Sequence, residues 1–542
     1  MAVRYPFAER HAVGPVDLAI RPGEKVLLLG ASGSGKSSLL LTLTRLIPDS
    51  IPAEVTGRIE IFRTQANNKK PWQWAPFVAQ YFQDADQTLC GMRVEDEIAF
   101  GLENRAMPTA EIEARVTETM QRVGLPDAWR KRRTMQLSGG ERQLVALAAT
   151  LAQHAPLFVA DEPTAHLAPE AARRLHALLT TIGPEQSVLV VDHRLDGLID
   201  AIDRVVVLGS DGTVIAEGHP RKMFKENRYL LESLGIWHPL ATDLAAMLEA
   251  AGVSPDVPPL SITQALAHLD PATTSPVDLA CARPAVRAFV ERHSAPAKAS
   301  DARIVARLQA ADCAPFLGPT VLRGVELAIH AGEALGILGP NGAGKSTLGA
   351  SLAGVLSLKA GRREGLPGGI AFQQPEHQFT GGSVTEEMLS ALPKTMPAVE
   401  QKQKIAESLA FWELADLASR HPFELSQGQK RRLALATLTA SDRWSLLVLD
   451  EPLAGLDARG AAALVEHVCT LRDAGRAIAV ITHDMDLALR LCSRSVVVGE
   501  GCILADGPTA DLLGDPQLIK RAGLSEPSCA PARRWLEKVA SC

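Results

Sequence analysis

Gly30-Ala31-Ser32-Gly33-Ser34-Gly35-Lys36-Ser37 recurs as Gly339-Pro340-Asn341-Gly342-Ala343-Gly344-Lys345-Ser346. Each stretch follows a short apolar run, Val26-Leu27-Leu28-Leu29 or Leu335-Gly336-Ile337-Leu338. Each opens a leucine-bearing run, from Ser38 or from Thr347. Strand, glycine-rich loop and helix in that order form a phosphate cradle. The glycines let the backbone wrap an anion, and the loop N–H groups with the helix N-terminus face it. The lysine reaches the outer phosphates, and the hydroxyls of Ser37 and Ser346 are placed for Mg²⁺. Two cradles in one chain predict a pair of nucleotide sites.

The repeat runs well past these loops. Phe82-Gln83-Asp84 parallels Phe372-Gln373-Gln374, and Leu137-Ser138-Gly139-Gly140-Glu141 parallels Leu425-Ser426-Gln427-Gly428-Gln429. Val159-Ala160-Asp161-Glu162-Pro163 parallels Val448-Leu449-Asp450-Glu451-Pro452, and Val191-Asp192-His193 parallels Ile481-Thr482-His483. The two lysines are 309 positions apart, but the glutamines and the histidines are each 290 apart. The second copy therefore lacks about 20 residues between its phosphate loop and its glutamine. In the first copy that stretch contains Val55-Thr56-Gly57-Arg58-Ile59-Glu60-Ile61-Phe62, whose alternation reads as one strand of a peripheral hairpin.

Each element carries its own chemistry. Asp161 and Asp450 end apolar strands, where a carboxylate holds Mg²⁺ beside Ser37 or Ser346. Glu162 and Glu451 are placed to polarise an attacking water as general bases. Gln83 and Gln373 end strands, and a neutral amide there is placed to ligate Mg²⁺ and sense the outermost phosphate. His193 and His483 follow apolar strands and offer an imidazole to that phosphate or to the neighbouring glutamate. Ser138-Gly139-Gly140 and Ser426-Gln427-Gly428 read as helix starts before Glu141–Leu151 and Gln429–Leu438. A plain N-cap serine explains such a start. Each also presents a second anion site, suited to a nucleotide held elsewhere.

Bulk properties bound the rest. A chain of 542 residues exceeds one hydrophobic core. Net charge of −6 weighs against broad nucleic-acid binding. Eight cysteines without a Cys-x-x-Cys pair fit reduced thiols. Met1-Ala2-Val3-Arg4 does not open a signal peptide, and no apolar run approaches the ~18 residues of a membrane span. Between the copies, Leu230–Leu234 and Thr242–Leu248 read as helices, followed by proline-bearing tethers such as Pro255-Asp256-Val257-Pro258-Pro259 and Ser294-Ala295-Pro296-Ala297-Lys298. The expected domains are 1–225, a helical appendage with a flexible linker at 226–300, 301–520, and a tail at 521–542.

The ordered set of phosphate loop, glutamine, Leu-Ser-Gly-Gly-Glu signature, Asp-Glu strand and histidine resembles the ATP-binding cassette (ABC) family in both halves. That resemblance implies an α/β chain with two tandem P-loop NTPase domains. Each would have a RecA-like core, an antiparallel β subdomain and a helical signature subdomain. It also implies ATP hydrolysis with Mg²⁺, with each ATP held by one cassette's phosphate loop and the other's signature. Ser38 and Thr347 would join the phosphate contacts, and Tyr5 would stack on adenine. No counterpart to Tyr5 stands near Cys313-Ala314-Pro315-Phe316. The chain opens about four residues before Tyr5, so the family's first edge strand would be shortened or the start codon misplaced.

The stretch Tyr81-Phe82-Gln83-Asp84-Ala85-Asp86-Gln87, with Val94–Asn104 and Asp192-His193-Arg194-Leu195, is similar to energy-coupling factor importers of vitamins and metal ions. That likeness implies integral membrane partners, a T-like coupling component and an S-like substrate-binding component, on whose cytoplasmic face this chain would sit. Other expectations are a peptide or sugar importer and a ribosome-associated tandem cassette protein. The copies also differ from the family pattern. Ala168 stands where Asp457 keeps the carboxylate of the loop after the acidic pair, and Gln427 replaces a signature glycine. By the resemblance, the carboxylate missing at Ala168 implies two sites that do not fire equally.

Overall fold

The computed structural model describes residues 1–83, 88–164, 167, 169–193, 195–295 and 303–541. The chain divides into two compact units, Met1–Asp243 with Asp256–Ser261, and Leu244–Pro255 with Ile262–Cys542.

The first unit is built on a six-stranded sheet. Its order is Val78–Tyr81, Leu157–Asp161, Ser187–Val191, Lys25–Gly30, Arg204–Leu208 and Val214–Gly218. All neighbours are parallel except the last pair. Leu157–Asp161 and Ser187–Val191 are buried along their whole length. Helices cover both faces of such strands, which therefore read as unbroken apolar runs. The helices Val94–Glu103, Thr109–Val123 and Gly139–Ala152 pack into one core with the sheet.

The stretch Val55–Phe62 forms two short strands, not one. Glu54–Thr56 pairs with Ala2–Arg4, and Glu60–Ile61 turns back on Thr64–Gln65. Gly57 breaks the run with φ of 86°, a left-handed conformation that glycine adopts without strain. Ala2 pairs with Thr56, Val3 with Val55 and Arg4 with Glu54.

The second unit repeats the sheet order with Gly369–Ala371, Leu446–Asp450, Ala477–Ile481, Ala334–Leu338, Arg494–Gly499 and Cys502–Pro508. Its antiparallel subdomain is more regular, with Leu322–His330, Ile304–Cys313 and Ala360–Gly365 side by side. The small hairpin and the short helices Ala66–Asn68 and Pro71–Trp74 of the first unit fill the stretch that the second lacks.

The segment expected to be a flexible linker contains a helix, Pro276–Arg292. Ser275 caps it through the Asp278 N–H at 3.1 Å, and Pro276 sits in the first turn, where a missing donor costs nothing. The C-terminal helix Ala530–Ser541 packs on it. Trp535 Nε1 donates to the Leu269 carbonyl at 2.6 Å. Pro296–Ser300 lie outside the described residues.

Candidate active sites

The helices Lys36–Leu43 and Lys345–Ala353 start at the loop lysines themselves. Gly35 must turn with φ of 86°, since a Cβ there would lie 1.9 Å from the Ala12 carbonyl oxygen. Gly33 and Gly342 have φ of 81° and nothing within 4 Å of a Cβ position. Their open side is the room that a phosphate needs. Lys36 Nζ donates to the Gly30 and Ala31 carbonyls at 2.8 and 3.0 Å. Lys345 does the same with Gly339 and Pro340, at 2.8 and 3.0 Å. Burial holds the Lys345 ammonium below its ordinary pKa.

Asp161 and Asp450 are buried at their strand ends. Burial raises both carboxyls above the ordinary value, against hydrogen bonds from Ser37 and Ser346. A buried carboxylate left short of compensating charge, beside a hydroxyl, is an oxygen donor set that fits Mg²⁺.

Glu162 and Glu451 both take left-handed backbone, with φ of 46° and 49°. Non-glycine residues hold this conformation only where the surroundings fix it. Here the Glu162 N–H donates to Val191 O at 2.8 Å and the Glu451 N–H to Ile481 O at 2.9 Å. In the first cassette Gln83 Nε2 donates to Glu162 Oε2 at 2.8 Å, and His193 Nε2 lies 2.9 Å from Glu162 Oε1. Burial alone would raise the Glu162 carboxyl; the His193 hydrogen bond and charge bring it below the ordinary value.

The second cassette holds its glutamate differently. His483 Nδ1 lies 2.7 Å from Glu451 Oε1, and the His483 N–H donates to the same oxygen at 3.1 Å. Thr482 Oγ1 donates to Oε2 at 3.3 Å. Gln373 is exposed, and its carbonyl accepts from Arg431 Nη2 at 2.5 Å. Arg431 also reaches Phe372 O at 2.7 Å and Asp450 O at 3.3 Å, so one buried guanidinium ties the glutamine loop to the acidic strand end. Sequence reading missed Thr482 and Arg431, whose partners are backbone or distant in the chain.

Both signature serines are N-caps. Ser138 accepts from the Glu141 N–H at 3.4 Å, and Ser426 from the Gln429 N–H at 3.3 Å. The N3 side chains return the bond, a capping box in each copy. Gln427 Nε2 and Lys430 Nζ both donate to Glu376 Oε1, at 3.0 and 3.1 Å. Asp457 accepts from the Gly460 N–H at 2.8 Å and caps the helix Ala458–Asp473. Ala168, its counterpart, lies outside the described residues, as do Asp84–Gln87 and Arg194. Tyr5 is half-buried, with its hydroxyl 2.9 Å from Ser38 Oγ. It lines an open cavity of about 810 Å³ with Arg4, Phe7, Pro48, Pro52 and Glu54. Phe316 is exposed.

Residues 13–165 and 322–454 match the ABC transporter family model. An ABC transporter ATP-binding protein of Methanosarcina mazei is 31% identical over 98% of this chain and 92% of its own length. The HMP/thiamine import ATP-binding protein YkoD of Bacillus subtilis is 31% identical over 97% of this chain and 94% of its own. Among solved structures, an RNase-L inhibitor superposes with a TM-score of 0.60 at 20% identity, covering 99% of this chain and 98% of that one. That last likeness bears on the fold alone.

The chain belongs to the ABC transporter family. It is the ATP-binding subunit of such a transporter, with two cassettes that bind ATP with Mg²⁺ and hydrolyse it. No helix among the described residues is long and apolar enough to cross a membrane.

Proposed function

We infer that this chain is the fused ATPase of an energy-coupling factor importer for a vitamin, a metal ion or a similar micronutrient. The observation that carries this reading is the likeness to the HMP/thiamine import ATP-binding protein along nearly the whole of both chains. The sequence around Gln83 and His193 supports it. In this reading the chain is peripheral, on the cytoplasmic face, and works with T-like and S-like membrane subunits.

Glu162 and Glu451 act as general bases, taking a proton from the attacking water at their carboxylate oxygens. His193 and His483, each within hydrogen-bonding reach of its glutamate, orient those carboxylates. Lys36 and Lys345 leave their loop carbonyls to bind the outer phosphates. Ser37, Gln83 and Asp161 would hold one Mg²⁺, and Ser346, Gln373 and Asp450 the other. Each ion, once held there, would supply positive charge against the transferring phosphoryl group. As the family resemblance implies, the first phosphate loop works with Ser426, Gln427 and Gly428, and the second with Ser138, Gly139 and Gly140. Tyr5 stacks on the first adenine.

The test is affinity purification of the tagged chain from detergent-solubilised membranes of its native cell. Two apolar membrane subunits, one of them a small substrate-binding protein, are expected. Co-purification with a subunit that binds peptide or sugar, or with ribosomes instead, would overturn the reading.

A further inference from the structure

Behind the first cassette's Glu162 lies a buried polar bridge that the second cassette does not have. Thr164 Oγ1 donates to Asp192 Oδ1 at 2.7 Å, with Oδ2 at 2.9 Å. His176 Nε2 lies 3.3 Å from Asp192 Oδ2, and its Nδ1 lies 2.9 Å from the Asp196 carbonyl oxygen. Thr164, His176 and Asp192 are 1%, 2% and 2% exposed. Thr164 stands two residues after Glu162, and Asp192 directly precedes His193. The bridge therefore pins the backbone carrying the glutamate to the backbone carrying its imidazole partner.

The same three places in the second cassette are Leu453, Val465 and Thr482, each at the same offset from its acidic pair, helix start or histidine. Val465 belongs to its hydrophobic core, and the half-buried Leu453 packs against that core. Thr482 instead donates to Glu451 itself. The fold thus closes without the polar trio, and a buried charged group is a poor source of stability. A requirement of the fold does not explain Asp192.

We propose that Thr164, Asp192 and His176 are positioning residues for the first cassette alone, holding Glu162 and His193 in the geometry that activates water. The proposal rests on the reading of Glu162 as the base.

Steady-state ATP hydrolysis separates the two sites. In a Glu451→Gln background, turnover reports Glu162; in a Glu162→Gln background, it reports Glu451. In the first background, Asp192→Asn and Thr164→Val should each lower kcat roughly tenfold with KM for ATP unchanged, while Thr164→Ser keeps the hydroxyl and restores the rate. In the second background, none of these should change turnover. The triple variant Thr164→Leu, His176→Val, Asp192→Val replaces the whole bridge with apolar side chains and leaves no buried polar group unpaired, so it guards against loss of folding; it should match Asp192→Asn in rate. A fall in melting temperature with kcat intact, or an equal loss in both backgrounds, would overturn the bridge. If the double variant Glu162→Gln, Glu451→Gln keeps the first-site rate, the base reading fails and the bridge falls with it. If that double variant is dead and Asp192→Asn is not impaired, the bridge alone fails.

Discussion

A Cβ on Gly428 would lie 2.4 Å from the Gly455 carbonyl oxygen. The start of the second signature helix therefore rests on the loop that follows Glu451, backbone against backbone. Gly455 turns there with φ of 75°. Gly428→Ala should destabilise the chain by about 1–3 kcal/mol, because the obstructing atom is main chain and must move. Thermal melting checks this. A melting temperature equal to the parent's would mean that the two loops part freely.

Glu451→Gln should remove most second-site turnover and leave ATP binding intact, since an amide keeps the shape but takes no proton. His483 Nδ1 at 2.7 Å then faces an amide in place of a carboxylate. Hydrolysis measured beside equilibrium nucleotide binding tests the assignment. Parental rates would give the proton to another group.

Asp450→Asn should stabilise the nucleotide-free, Mg²⁺-free chain while abolishing Mg²⁺-dependent hydrolysis. Burial raises the Asp450 carboxyl above its ordinary value. A raised folded-state pKa favours folding below the unfolded pKa, and that advantage is lost as pH rises through the folded value. At neutral pH the ionised carboxylate is thus a cost, on the order of 1 kcal/mol, which the amide removes. Melting curves at pH 7 without metal should show the gain. The gain should shrink as pH falls toward the ordinary carboxylate range. A drop in stability at pH 7 would show that the Ser346 hydrogen bond outweighs burial.

Asp457 separates two roles by substitution. Asparagine caps a helix about as well as aspartate, whereas alanine forfeits about 1 kcal/mol. Asp457→Asn should therefore melt like the parent and Asp457→Ala should melt lower. If hydrolysis falls in both variants, the charge itself serves the reaction. If it falls only with alanine, the residue serves as the cap.

Much of the site was legible because its parts stand at the ends of apolar strands, in a fixed order, twice over. Lys36, the pair Asp161 and Glu162, and His193 follow three such runs, and the sheet brings those ends together. The Thr164–Asp192–His176 bridge was not legible. Its members are 28 and 16 positions apart, at spacings that match neither strand nor helix periodicity. The strand read over Val55–Phe62 failed because alternation cannot see Gly57 turning the backbone. The helix Pro276–Arg292 was hidden by its prolines, which weigh against a helix unless one occupies the first turn.

Trp535 binds the Leu269 carbonyl across 266 positions of chain. Translation makes Leu269 long before Trp535, so the helical segment between the cassettes stays half-clad until that tryptophan emerges. A premature stop, or an affinity handle that displaces the Ala530–Ser541 helix, would strip cover from the middle of the polypeptide rather than merely trim an end.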